Sequence, residues 1–176
     1  MVVIIPAYQP DEKLYRLVLD LHEKTDYDLV VVNDGSDRDK RDLFASLEPY
    51  AKVLTHPQNR GKGAALKTAL TYIYERYPAD EGVVTIDADG QHLPEDIIRV
   101  SEAWEEAPEK LVLGSRRFNG KVPFKSRAGN AITRFVFALS TGVKVFDTQT
   151  GLRAFGVFRI PMMLLMKGDR YEYEIN

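Results

Sequence analysis

The chain has 176 residues, 44% hydrophobic and 28% charged, a composition that suits one globular domain with a real core and excludes an intrinsically disordered segment. Its formal net charge of −2 does not point to a nucleic-acid binder, and the lack of cysteine excludes a disulfide scaffold or a thiolate metal site. The near-neutral sum hides an asymmetry. From Lys110 to Phe146 there is no Asp or Glu, while eight Lys and Arg stand there, which leaves −10 on the remainder. Such a stretch is open between a surface for anions, either a phosphorylated substrate or an anionic membrane, and a solvated helix face.

The opening "MVVIIPAY" lacks a basic flank, and Pro6 ends its apolar run, so no signal peptide is expected. No stretch reaches the roughly 18 to 20 apolar residues of a spanning helix, so membrane contact by this chain is expected to be peripheral or to use a segment outside it. The abrupt end at "YEYEIN" points to truncation at the C-terminus.

Short β-branched runs then alternate with amphipathic stretches. Strands are predicted at "VVII" (2–5), "DLVVVN" (28–33), "AKVLT" (51–55), "GVVTID" (82–87) and "KLVLGS" (110–115). Between them, "EKLYRLVLDLHEK" places Leu14, Leu17, Val18 and Leu21 on one helical stripe, and "KGAALKTALTYIYERY" does the same with Leu66, Ala69, Leu70 and Ile73. Asp11 after Pro10, and Glu95 and Asp96 after Pro94, put acids at helix starts, where the dipole favours them. After Ser115 a basic loop, a helix near 127–141, an extended "DTQTGLRAF" and a short helix near 157–166 are expected. The pattern implies an α/β fold: a mostly parallel sheet covered by helices on both faces, with the ligand beyond the carboxyl ends of its strands.

The loops at those ends hold the unusual chemistry. In "NDGS" (33–36), Asp34 is open between an acceptor for a nucleobase or ribose in the crevice and an Asx-turn before a helix cap. "NRGKGAA" (59–65) brings two glycines and Lys62 to a helix start, a way to set backbone N–H groups and an ammonium against phosphate. It is neither a P-loop nor a dinucleotide fingerprint, because His56, Ala64 and Leu66 stand where those motifs need other residues. "DADGQ" fails as an EF-hand, with His92 and Ile98 at the positions of the obligatory Gly and Glu. What remains is Asp87, Asp89 and Gln91 at period two, oxygen donors suited to Mg²⁺ or Mn²⁺ completed by water and a diphosphate. His92 is open between a further ligand and a solvated turn residue. Arg116 and Arg127 are forks matched to phosphate oxygens or plain surface charges, and Asp147 is a candidate base or sugar-hydroxyl partner. Glu172 and Glu174 are either site or surface acids.

With "PAYQPDE", "NDGS", "NRGKGAA", "DADGQHLPEDI", "LGSRRF" and "DTQTGLRAF" in this order, the chain resembles the family-two inverting glycosyltransferases. More narrowly, it is similar to bacterial polyprenyl-phosphate hexosyltransferases related to dolichyl-phosphate mannose synthase. The resemblance implies a GT-A, Rossmann-like sheet sandwiched between helices. It implies a nucleotide-sugar donor pocket made by Pro6, Ala7, Tyr8 and Asp34, with Asp87 near the donor's ribose or sugar. Asp89 and Gln91 would hold Mg²⁺ or Mn²⁺ on the diphosphate, and Arg116 and Arg127 a lipid-phosphate acceptor. Its expected activity is hexose transfer, with UDP-glucose the expected donor, at the cytoplasmic face of the membrane. Two further readings stand beside it: a soluble transferase that extends a glycan with Asp147 as base, and a non-catalytic nucleotide- and metal-binding subunit.

Overall fold

The computed structural model describes residues 1–114 and 151–165. In chain order these form β1 (Val2–Ala7), α1 (Glu12–Lys24), β2 (Asp28–Asn33), a 3-10 turn (Arg38–Lys40), α2 (Arg41–Leu47), β3 (Lys52–Thr55), α3 (Lys62–Tyr74), β4 (Gly82–Thr85), α4 (Pro94–Glu105), β5 (Val112–Leu113), β6 (Arg153–Gly156), a 3-10 turn (Val157–Arg159) and α5 (Ile160–Leu164). The sheet order is β3-β2-β1-β4-β6-β5. β3, β2, β1 and β4 run parallel, and β6 is antiparallel to both β4 and β5.

Alternating side chains feed two cores. Val3, Ile5, Leu29, Val31 and Val84 pack with α1, α2 and α4 on one face, while Val2, Ile4, Val30, Val32 and Val83 pack with α3 and α5 on the other. Period two along strands that are buried on both sides produces this sandwich. α1 starts where the sequence predicts, with the Asp11 carboxylate accepting from the Lys13 N–H at 2.9 Å, and α4 carries Pro94 in its first turn.

Four strands have limits that differ from expectation. β1 continues through Pro6 and Ala7 because it stays paired with β2 to the register Ala7–Asn33. β4 ends at Thr85, two residues early. β5 is only Val112–Leu113, the two residues that pair with Ala154 and Arg153 of β6, which lies between it and β4. The 51–55 strand begins at Lys52, and the 62–77 helix stops at Tyr74. The helix expected near 127–141 lies outside the described residues.

Candidate active site

The sheet opens between β1 and β4. They pair from Val2–Val83 to Ile4–Thr85, and the last bond runs from the Ile86 N–H to the Ile4 carbonyl at 3.0 Å. Backbone groups alternate along a parallel strand, so those of Ile4 and Pro6 face β4 while those of Ala7 face β2, where its carbonyl accepts the Asp34 N–H at 2.9 Å. Pro6 has no N–H to offer, and its position is the one at which β4 has already turned away. This crevice at the carboxyl ends also lies where the strand order reverses, the usual ligand position in such sheets.

One lip comes from the loops after β1, β2 and β3. Pro6 and Ala7 are buried in the strand, so of the three consecutive residues expected in the nucleotide pocket beside Asp34 only Tyr8, 54% exposed, presents its side chain. Gln9 takes a positive φ of 50° to make the turn, and its N–H donates to Ser36 Oγ at 2.9 Å. Ser36 N–H in turn donates to Asn33 Oδ1 at 2.9 Å, so the Asx-turn at this loop belongs to Asn33 and not to Asp34. Gly35, at φ +70°, lies so close to the Gln58–Asn59 backbone that no Cβ would fit.

Asp34 does not project into the crevice. It is 2% exposed, and its carboxylate takes three donors from the following loop: Arg60 N–H (2.9 Å) and His56 Nδ1 (2.7 Å) on Oδ1, and Gly61 N–H (2.8 Å) on Oδ2. The expected acceptor for a base or ribose is thus the anchor of the glycine loop. That loop delivers Lys62, at the start of α3, whose ammonium donates to Asp87 Oδ1.

The other lip is the segment after β4. Because the strand ends at Thr85 and Gly90 turns the chain at φ +71°, the period-two argument for Asp87, Asp89 and Gln91 does not hold. Asp87 turns inward, and its carboxylate rests on Gly151, where any Cβ would overlap it. Thr85 Oγ1 fixes that approach by donating to the Gly151 carbonyl at 3.0 Å. Burial pushes the Asp87 carboxyl up, but the His92 imidazole and the Lys62 ammonium pull harder, and it lies well below the usual carboxylate range. Asp89 and Gln91 turn outward and are exposed, with Asp89 Oδ1 accepting the Gln91 N–H at 2.9 Å. His92 corrects the picture of a solvated turn residue: it is 4% exposed, with Nε2 3.8 Å from Asp87 Oδ2 and no hydrogen bond among the described residues.

The donor set suits a hard divalent cation. Asp89 and Gln91 offer exposed oxygens beside a half-buried carboxylate, and among the described residues no cluster of three or more His, Asp or Glu closes a site by itself. A cation there would have positions left for phosphate and water. Arg116, Arg127, Asp147, Glu172 and Glu174 lie outside the described residues. His56 and Gly151 are residues beside the crevice that sequence reasoning did not single out, whereas His92 was named as a candidate ligand. The clue to Gly151 was its place in "DTQTGLRAF", and His56 carries no local signal beyond following the end of β3.

The chain matches the profile of glycosyl transferase family 2 over residues 2–160. It is 33% identical over 191 residues to a UDP-N-acetylglucosamine–dolichyl-phosphate N-acetylglucosaminyltransferase of Methanococcus voltae, covering 97% of this chain and 75% of the relative. It is 26% identical over 177 residues to a dolichyl-phosphate β-glucosyltransferase of Trichomonas vaginalis, covering 86% and 52%. Among solved structures, glucosyl-3-phosphoglycerate synthase of Mycobacterium tuberculosis, in complex with Mn²⁺, UDP and its glucosylated product, superposes with a TM-score of 0.73 at 21% identity. That superposition takes in 99% of this chain and 62% of the synthase, so the chain spans about three fifths of its structural neighbour. The crevice, the sheet order and these likenesses agree: the fold is GT-A, and the chain belongs to glycosyl transferase family 2.

Proposed function

We propose that this chain transfers a hexose from a uridine diphosphate sugar to a polyprenyl phosphate, with inversion at the anomeric carbon. The observation that carries this reading is the crevice itself, where Lys62 meets Asp87 and the turn that follows leaves Asp89 and Gln91 exposed. Tyr8 stands on the opposite lip as a platform for the base. Asp89 and Gln91 would hold Mg²⁺ or Mn²⁺ against the donor diphosphate, and the bound cation would supply Lewis-acid neutralisation of the leaving group. Lys62 adds an ammonium at the same place, and Asp87 orients it or the donor sugar.

The acceptor class rests on the two dolichyl-phosphate transferases among the relatives. A phosphate monoester is already anionic at neutral pH, so its attack requires positioning more than a strong base. In this proposal Arg116 and Arg127 supply that positioning, and Asp147 becomes necessary as a base only if the acceptor is a sugar hydroxyl. Glucose is the first reading for the sugar. N-acetylglucosamine is the second, because the Methanococcus relative carries that name. Among the described residues no helix is long and apolar enough to cross a membrane. In this proposal contact with the lipid acceptor is at the cytoplasmic membrane surface, through the basic 110–146 stretch or through a segment outside this chain.

Calorimetric titration of UDP and GDP, with Mn²⁺ or Mg²⁺ and with EDTA, tests the donor half on the wild type and on Asp89→Ala. Micromolar UDP binding that needs both metal and Asp89 is the expected result, and binding of neither nucleotide under any condition would overturn the reading. Transfer from UDP-glucose and UDP-N-acetylglucosamine to a short-chain polyprenyl phosphate then decides sugar and acceptor, with Arg127→Ala expected to abolish transfer while sparing UDP.

A further inference from the structure

The buried contact between His56 and Asp34 has no part in the donor chemistry just described, yet it controls the geometry of the loop on which that chemistry depends. His56 Nδ1 lies 2.7 Å from Asp34 Oδ1, and its Nε2 lies 2.9 Å from Thr68 Oγ1 on α3. A carboxylate only accepts, so the proton sits on Nδ1, and in the neutral ring Nε2 accepts from the Thr68 hydroxyl. Asp34 bridges from His56 to the Arg60 and Gly61 N–H groups, directly before Lys62. Gly61, at φ +95°, stands at the N-cap of α3 and has no side chain to cap it, and the Asp34 carboxylate that follows β2 holds the two peptides leading into the helix instead.

A buried carboxylate and imidazole are a poor source of stability, since apolar residues of similar volume usually serve as well. What this pair gives that apolar residues cannot is orientation. With His56 fixing one oxygen from the side and Thr68 fixing the ring from behind, the carboxylate has one rotamer, and the Arg60–Gly61 peptides have one place to dock. We propose that His56 is a positioning residue for the donor. Through Asp34 it sets the start of α3, and so sets where the Lys62 ammonium stands relative to Asp87 and to the phosphates of a nucleoside diphosphate. The inference rests on the donor-site reading above.

Two conservative variants separate the two sides of the ring. The amide nitrogen of Asn reaches the place of Nδ1, and that of Gln the place of Nε2. His56→Asn keeps the donor to Asp34 and loses Thr68, while His56→Gln does the reverse. Hydrogen exchange at the Arg60 and Gly61 amides, without nucleotide, and UDP affinity are measured on both. In His56→Gln we expect exchange at those amides to quicken and UDP binding to weaken by about tenfold or more, the range for losing a hydrogen bond to a charged partner, with His56→Asn near wild type on both. Equal behaviour of the two variants, whether both normal or both impaired, overturns the proposal. If either fails to fold, Asp34→Asn substitutes for it, and wild-type exchange and affinity in that variant overturn the proposal in the same way. Absence of UDP binding by the wild type would instead remove the donor reading and with it the functional role, while the exchange comparison still decides whether His56 holds the loop.

Discussion

The Lys62 ammonium and the Asp87 carboxylate, 25 residues apart in sequence, meet across the floor of the crevice, one delivered by the start of a helix and the other by the end of a strand. In the proposed donor site a diphosphate and its counter-ion would compete with this pair for charge. Lys62→Met keeps the stem and removes the charge. Asp87 then loses an opposing pull against burial, and its carboxyl should titrate higher than in the wild type, as a carboxyl-carbon NMR titration would show. Because the folded carboxyl lies below its unfolded value, the pair stabilises the protein above the ordinary carboxylate range and loses that contribution as pH falls through the depressed folded value. The stability difference between wild type and Lys62→Met should therefore hold steady from neutral pH down to about pH 5 and shrink below about pH 4. An unchanged Asp87 titration in the variant would sink this account.

Gly151 predicts a second outcome. Its Cα sits against the Asp87 carboxylate, so Gly151→Ala must push that group or the Leu152 strand entry aside. We expect a loss of about 1–3 kcal/mol in urea unfolding, the range for overpacking, together with weaker UDP binding. A loss of stability with full UDP affinity would show that Asp87 is not part of the donor site.

Gly35→Ala should be harsher on the fold and indirect on the site. The residue needs both its positive φ and the room that the Gln58–Asn59 backbone leaves it, and a backbone neighbour cannot swing away as a side chain can. A destabilisation of about 2 kcal/mol or more is expected from the strain and the overlap together. A thermal midpoint within a degree of wild type would contradict the close approach.

Tyr8→Ala should do the opposite. The ring is more than half exposed, so the thermal midpoint should stay put. If the ring stacks on the base, UDP affinity should fall by about 1–3 kcal/mol, the usual worth of such a platform. An unchanged UDP isotherm would place the base elsewhere in the crevice.

Local pattern was enough for α1 and β2, whose observed limits are those predicted, because a clean amphipathic stripe and an apolar run each fix their own period. The sheet was legible as parallel through β4. The antiparallel β6 was visible only as an extended segment, since the direction of a strand depends on the path of the chain between elements and not on its own residues. Site residues were legible by type more than by role. Asp34 looked like a ligand because a turn after a strand normally exposes its acids, and nothing nearby revealed donors 22 to 27 positions away that bury it. Asp87 and Asp89 looked like twins at period two, and the turn at Gly90 leaves one half-buried against Gly151 and the other exposed.

The way β6 joins the sheet bears on how the chain must be handled as it is made. β4 is one hydrogen-bonding edge of the parallel block until Arg153–Gly156 pairs with it, and all four of its residues are apolar or buried. A nascent chain that has released only its first 114 residues therefore has the four parallel strands and both lips of the crevice, but carries an open hydrophobic edge at β4. Such an edge is a template for pairing with another chain. A version shortened before residue 151 should lose more than the glycine beneath Asp87: it should stick to itself, and any minimal donor-binding fragment must include β6 to cover that edge.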